Sequence, residues 1–381
     1  MSEHQSPSNK LLGLELLRFM AAFAVIIWHY AHFSYVADQP VDLVKDRLPF
    51  HGLLQPFYAA GEYGVWIFWC ISGFIFFWKY RDAIADRSVG GWKFFVFRLS
   101  RLYPLHITTL VLVAILQPLY FHLNGYFFVY QMNDLRHFLL QLLMASNWSE
   151  ASGYSFNAPI WSISVEVLVY VVFFVMLRFV SRSPWLNLVI ILAACLGKGQ
   201  IACCLSFFYI GGLAAMARRA ISALAYRSAV EGIAWFAVVT LGLSGWVAAA
   251  SYRFVVPDLA ILAYTPLLLF CISGDFGVKP VVQRWIEAAG NLTYSSYLLH
   301  FPLQIMISLA FAMHGAAVPF YQPAFFVVFI ATTFLAARLT YLYFEAPAQA
   351  MIRERLLPGA RTKAATVAFA AVAPMLPRKA D

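Results

Sequence analysis

Residues 11–33 read LLGLELLRFMAAFAVIIWHYAHF, an unbroken apolar run except for Glu15, Arg18, His29 and His32. The hydrocarbon core of a bilayer is about 30 Å thick and takes roughly 20 residues of helix, so this run predicts a membrane-spanning helix. It is longer than a signal-peptide core and carries Arg18, so it is expected to remain as the first span. Arg18 and His29 stand eleven residues apart. At about 100° and 1.5 Å per residue they lie about 20° apart in azimuth and about 16 Å apart along the axis. One face of the first helix therefore carries both, at different depths.

The same character extends over the whole chain. Of 381 residues, 62% are hydrophobic, 17% aromatic and only 12% charged, against about 25% charged in a soluble domain. So much apolar surface cannot be hidden inside one water-facing globule. The expected fold is all-α, a polytopic transmembrane bundle of ten spans near residues 11–33, 60–79, 103–121, 159–179, 185–197, 201–217, 232–250, 257–274, 292–313 and 323–344. The fifth is short and ends at Gly197, Lys198 and Gly199, so the fifth and sixth are open to being one bent hairpin.

With the N-terminus in the cytoplasm, the outer loops hold only Lys45, Arg47, Arg136, Lys198 and Arg253 of the 27 Lys and Arg. Arg18 and Arg338 fall inside spans, and the rest lie on the inner side. This positive-inside bias puts both termini in the cytoplasm. It also accounts for the net charge of +9 without a nucleic-acid partner. The five cysteines sit in or beside apolar runs, with no CxxC and no Cys/His spacing for zinc, so no metal is expected. The organisation expected is a membrane-embedded domain over 1–350 and a basic, disordered cytoplasmic tail over 351–381. Two connections are long: an inner one over 79–101 and an outer one over 121–157. Within the latter, 135–144 is apolar but half a span in length, suited to an interfacial or re-entrant helix.

Inside a bilayer a charge costs at least about 2.5 kcal/mol and tends to face a partner or a cavity. Arg18 has Glu15 one turn away, close enough for a structural ion pair. His29 lies between Trp28 and Tyr30, an interfacial grouping that could equally house a working imidazole. Glu166, in Trp161-Ser162-Ile163-Ser164-Val165-Glu166, falls roughly 10 Å below the outer surface. With Asn157 as N-cap and Pro159 at the helix start, it reaches a depth similar to that of His29. A histidine would be its partner for acid–base work; Ser162 or a tyrosine would be a packing partner. His300 precedes Pro302, where a lost helical hydrogen bond favours a kink or a wet pocket. Ser72 is mid-span beside Gly73, whose small size suits helix packing. Arg98 and Arg101 stand just before a helix, where their forks match phosphate oxygens on a polyanionic cytosolic ligand or on lipid headgroups.

Taken in order, these residues resemble the acyltransferase 3 family of integral-membrane O-acyltransferases. The motifs are Arg18-x10-His29, the aromatic-rich Phe68-Trp69-Cys70-Ile71-Ser72-Gly73-Phe74, and Arg98-x-x-Arg101-x-Tyr103-Pro104. They continue with Trp161-Ser162-x-Ser164-Val165-Glu166, Ser296-Tyr297-Leu298-x-His300-x-Pro302 and Glu345-x-Pro347. Together they cover about 10–350. Phe97 stands where a further arginine is common, and Trp69 where phenylalanine is common. The resemblance implies transfer of an acyl group, acetyl foremost, from cytosolic acyl-CoA to a hydroxyl of a sugar, glycan or polysaccharide precursor. It assigns catalysis to His29, Glu166 and Arg18, donor binding to Arg98, Arg101, Ser72 and Tyr103, and acceptor binding to Trp161, Ser164, Tyr297 and His300. Membrane lipid is the other partner, and a bacterial inner membrane the expected location. The competing reading from composition alone is a transporter or flippase for a lipid-linked sugar, against which stands the lack of a repeat between the two halves.

Overall fold

The computed structural model describes residues 11–149, 153–222, 224–250, 258–274 and 277–357. Helix α1 (Leu12–His29) runs on as a 3-10 turn, Tyr30–Ser34, and a two-residue ladder follows, β1 (Tyr35–Val36) against β2 (Gln39–Pro40). Then come α2 (His51–Ala60), α3 (Tyr63–Ala85), α4 (Gly91–Asn124), α5 (Leu135–Leu142) and α6 (Ile160–Val175), the last ending in a π-helical turn, Met176–Val180. The remainder is α7 (Pro184–Leu196), α8 (Gln200–Ile221), α9 (Arg227–Ala250), α10 (Asp258–Ile272), α11 (Pro280–Met313) and α12 (Pro323–Thr340). A second π-helical turn, Tyr341–Glu345, leads into α13 (Ala346–Leu356). The fold is an all-α polytopic membrane bundle.

Each predicted span falls on a helix, but the lengths differ. Among the described residues seven helices are long and apolar enough to cross a membrane, or eight if α2 and α3, bent by 64°, form one broken span. Helices α7 and α10 have 13 and 15 residues, about 20 Å each at 1.5 Å per residue, short of a full hydrocarbon core. Residues 185–217 form two helices, α7 and α8, packed along each other and joined by Gly197, Lys198 and Gly199. Ser183 caps α7 by accepting from Trp185 N (3.3 Å), with Pro184 at the first helical position.

Three expectations are corrected. The long inner loop over 79–101 is mostly helix: α3 continues to Ala85 and α4 already begins at Gly91, leaving a short turn. Arg98 and Arg101 therefore lie within the first turns of α4 rather than ahead of a helix, because an amphipathic segment keeps its helix where it leaves the apolar layer. The domain boundary at residue 350 falls inside α13, which stays helical to Leu356 where disorder was expected; the tail over 358–381 lies outside the described residues. The helix expected in 135–144 forms as α5. Asp134 caps it, accepting from His137 N (2.9 Å) and from the His137 ring (2.7 Å). These two hydrogen bonds hold the Asp134 carboxyl below its ordinary range.

The fold groups into two compact units. One takes the described residues of Met1–Ala31, Phe50–Ala85 and Val165–Thr293; the other those of His32–Pro49, Asp86–Ser164 and Tyr294–Asp381. In the first unit, α3 and α8 approach backbone to backbone. A Cβ on Gly73 would fall 1.8 Å from Phe208 O, and one on Gly211 would fall 2.0 Å from Cys70 O. Lipid supplies no hydrophobic drive between helices, so close approach through small residues and dispersion holds such a pair. Phe76, Phe77, Phe173 and Phe208 fill the rest, with ring centroids 5.1–6.3 Å apart in edge-to-face pairs. The second unit is built on Leu110, Val113, Phe128, Phe301 and Ile305. Buried Gln117 clamps Phe128 from both sides of its amide: Phe128 N donates to Oε1 and Nε2 donates to Phe128 O, both at 2.9 Å.

Gly73→Ala should therefore destabilise the protein by about 1–3 kcal/mol, the usual cost of overpacking. Gly52→Ala, whose added methyl meets nothing within 4 Å, should not. The thermal midpoints of the two variants in detergent measure the difference, and equal midpoints would refute the close-packed pair.

Candidate active site

The first unit holds the three residues expected to carry catalysis. Arg18 and Glu15 form the ion pair that their spacing allowed, with Nη1 3.2 Å from Oε2 and side chains 14% and 29% exposed. Glu15 is pressed onto α11 at Gly290, where a Cβ would fall 2.1 Å from Oε2. That glycine is what admits a carboxylate between the helices. His29 closes α1 and is buried, its ring 4.8 Å from that of Trp28. Glu166 is buried on α6 and accepts from the Tyr170 hydroxyl at 2.7 Å, one helical turn on. Tyr170 in turn stacks on Phe76, centroids 4.4 Å apart and planes 23° apart. The carboxylate is thus oriented from its own helix. A tyrosine is one of the packing partners that the sequence left open for Glu166, and Tyr170 fills that place. Ser72 is half-buried on α3, one residue from the Gly73 contact.

The second unit gathers the residues expected to bind acceptor. Tyr297 donates to Pro159 O (2.9 Å), and its oxygen lies 2.8 Å from Ser162 Oγ. Ser162 Oγ also reaches Pro159 O, at 3.3 Å, so that one carbonyl gathers both hydroxyls. His300 is fully buried; its Nδ1 faces Ser296 O at 3.3 Å, and its ring is 6.0 Å from Tyr297. Ser164 fastens the preceding loop, accepting from Asn147 N (3.3 Å) at its hydroxyl and from Trp148 Nε1 (2.9 Å) at its carbonyl. Trp161 packs against Tyr154 (6.0 Å), Tyr154 against Tyr130 (5.9 Å), and Tyr130 against Phe301 (5.2 Å) and His32 (5.8 Å). Burial, then the neighbouring Tyr154 phenol, pushes the Tyr130 hydroxyl well above its ordinary range, so it stays neutral.

Asn157 does not cap α6. Its Nδ2 donates to Leu298 O at 3.1 Å, the carbonyl four residues before Pro302. Proline has no N–H to give that carbonyl, and the Asn157 amide takes its place. Asn157 Oδ1, Gln141 Oε1 and Ser146 Oγ are buried with no protein partner among the described residues. Gln141 is itself held by Nε2 donation to Ser155 O (2.6 Å), and its main-chain carbonyl accepts from His106 Nε2 (2.7 Å). Sequence reading singled out none of Gln141, Ser146 or His106 as binding groups, since no spacing rule connects them.

The arginine motif lies in the same unit. Arg98 and Arg101 are half-buried on α4, and Tyr103 donates to Leu142 O at 2.6 Å, tying α4 to the end of α5.

The Leu298 contact can be tested by a double-mutant cycle. Asn157→Leu strands a buried carbonyl and should cost about 1–3 kcal/mol. Pro302→Ala restores the helix's own donor, so the same change in a Pro302→Ala background should cost clearly less. Additive thermal shifts would refute the substitution of one donor for the other.

Comparison with known proteins identifies the family. The acyltransferase 3 model, described as an acyltransferase domain, matches residues 11–341. A curated relative, acyltransferase MdmB of Streptomyces mycarofaciens, is 28% identical over 185 residues, 46% of this chain and 41% of that protein. The match thus spans less than half the relative's length. No solved structure matches the chain. The matched region takes in every proposed site residue from Arg18 to His300, and the chain belongs to the acyltransferase 3 family.

Proposed function

We propose that this chain is a membrane O-acyltransferase that moves an acyl group, acetyl foremost, from cytosolic acyl-CoA to a hydroxyl of a sugar, glycan or polysaccharide precursor. The observation that carries the reading is a buried imidazole, His29, and a buried, oriented carboxylate, Glu166, in one compact unit of a chain matched by an acyltransferase model. Ionisable groups at such sites are costly and mark function. The relative's name, acyltransferase, points the same way. The orphaned oxygens of Gln141, Asn157 and Ser146 suit a ligand rich in hydroxyls, and the Trp161–Tyr154–Tyr130 aromatics suit the apolar face of a sugar ring.

In this reading His29 is the general base and Glu166 orients it. The acceptor oxygen attacks the thioester carbonyl as its proton passes to the imidazole. Arg18, about 16 Å from His29 along α1, meets negative charge on the body of the donor and not at the reacting carbonyl. The C–S bond then breaks, and the imidazolium returns its proton to the departing thiolate. A covalent variant routes the acyl group through His29 itself; radiolabel retained on the protein after acetyl-CoA is added without acceptor distinguishes it. Arg98 and Arg101, at the start of α4, take the donor phosphates on the cytoplasmic side. A bacterial inner membrane, with both termini inside, fits this arrangement.

Radiolabelled acetyl-CoA with purified protein tests the reaction. Transfer or hydrolysis of label supports it; donor-independent movement of a lipid-linked sugar would support transport instead. His29→Ala should abolish transfer while the protein still inserts and folds, and His300→Ala should do less. Glu166→Gln should lower kcat by roughly tenfold to several thousandfold with donor KM little changed. Full activity of either His29→Ala or Glu166→Gln would sink the dyad. Changing Arg98 and Arg101 to Lys keeps charge but loses the planar fork, so donor KM should rise more than kcat falls.

A further inference from the structure

Helix α13 returns to the start of α4, and the contact is made by an arginine outside the region matched by the family model. Arg353 Nε donates to Ser100 Oγ at 3.0 Å, and its guanidinium carbon sits 5.4 Å from the centre of the Phe97 ring. Ser100 lies between Arg98 and Arg101 in sequence and is fully buried. Taking Ser100 as zero and about 100° per residue, Phe97 lies about 60° round α4, Arg101 about 100° and Arg98 about 160°. The two residues that Arg353 touches and the two motif arginines thus share one continuous flank of α4.

Arg353 is also held from its own helix. Its Nη2 donates to Gln349 Oε1 (3.2 Å), and Gln349 Nε2 donates to Glu345 Oε1 (3.0 Å). Glu345 is buried and receives the Ser295 hydroxyl from α11 on its other oxygen. Trp92 Nε1, in the first turn of α4, donates to Leu356 O (3.0 Å) and fixes the end of α13. A guanidinium held by Ser100, Gln349 and an aromatic face is preorganised, so little side-chain entropy remains to be lost when it meets an anion.

We propose that Arg353 is a third donor-binding residue, joining Arg98 and Arg101 in a cradle for the 3′-phosphate and pyrophosphate of coenzyme A. This rests on the acyl-CoA reading above. Fixed forks along one helix flank match phosphate oxygens better than mobile point charges do.

The test compares acetyl-CoA with S-acetylpantetheine, which has the same thioester but lacks the nucleotide phosphates. Arg353→Gln should raise KM for acetyl-CoA about tenfold or more, with kcat nearly unchanged and KM for S-acetylpantetheine unmoved. Arg353→Lys should fall between wild type and Arg353→Gln. A parallel loss on both donors, or no change on either, would make Arg353 a structural brace and overturn the proposal. Phenylglyoxal labelling of the wild type, read by mass spectrometry, decides the matter even if Arg353→Gln does not insert. Coenzyme A should slow labelling of Arg353, and an unchanged rate overturns the proposal. Failure of the underlying reading is distinct: there the wild type itself shows no preference for acetyl-CoA over S-acetylpantetheine.

Discussion

A polar group within a bilayer has no water to turn to, so the chain must answer it from within. Each site described above is arranged around that demand. Glu15 answers Arg18 at 3.2 Å, the Tyr170 hydroxyl answers Glu166 at 2.7 Å, and Ser295 and Gln349 answer Glu345. The backbone is subject to the same rule, and Asn157 donates to the carbonyl that Pro302 leaves bare. Where an oxygen stays unanswered, as on Gln141 and Asn157, a buried water or a substrate hydroxyl is the natural complement.

The pattern of pairing separates an enzyme-like interior from a lipid-facing one. Helix α9 is apolar and largely open to its surroundings over the span 227–245, whereas the windows of α6 and α11 are mostly buried. Helices α6 and α11 carry Glu166, Tyr297 and His300, and α1 carries Arg18 and His29. Glu166, Tyr297 and His300 thus sit on helices whose surroundings are mostly protein, where geometry can be held. A groove between α8, α9 and α10, about 540 Å³ and lined by residues such as Leu213, Ala234, Leu267 and Phe270, is almost wholly apolar, as suits a wall toward lipid.

Much of this was legible from local spacing. The Glu15–Arg18 pair is one turn apart, Gly73 lies where a helix can come close, and each apolar run became a helix. What escaped was set by distance along the chain. Asn157 reads as a cap because its partner, Leu298, is 141 residues away. The arginine motif was placed on a loop because hydropathy marks where a helix leaves the apolar layer, not where it ends. Arg353 was assigned to a disordered tail for the same reason. Yet Glu345, Gln349 and Arg353 recur at intervals of four, which puts them on one side of a helix and could have revealed it.

The π-helical turn over Tyr341–Glu345 gives this arrangement an unusual sensitivity to length. Such a turn holds one residue more than an α-helical one, and each residue turns a helix by about 100° and advances it by about 1.5 Å. Loss of a single residue there, harmless to hydropathy and to helix content, would swing everything downstream by more than a quarter of a revolution. Among homologous chains, one-residue gaps at this turn would therefore divide those that present an α13 arginine to α4 from those that point it elsewhere.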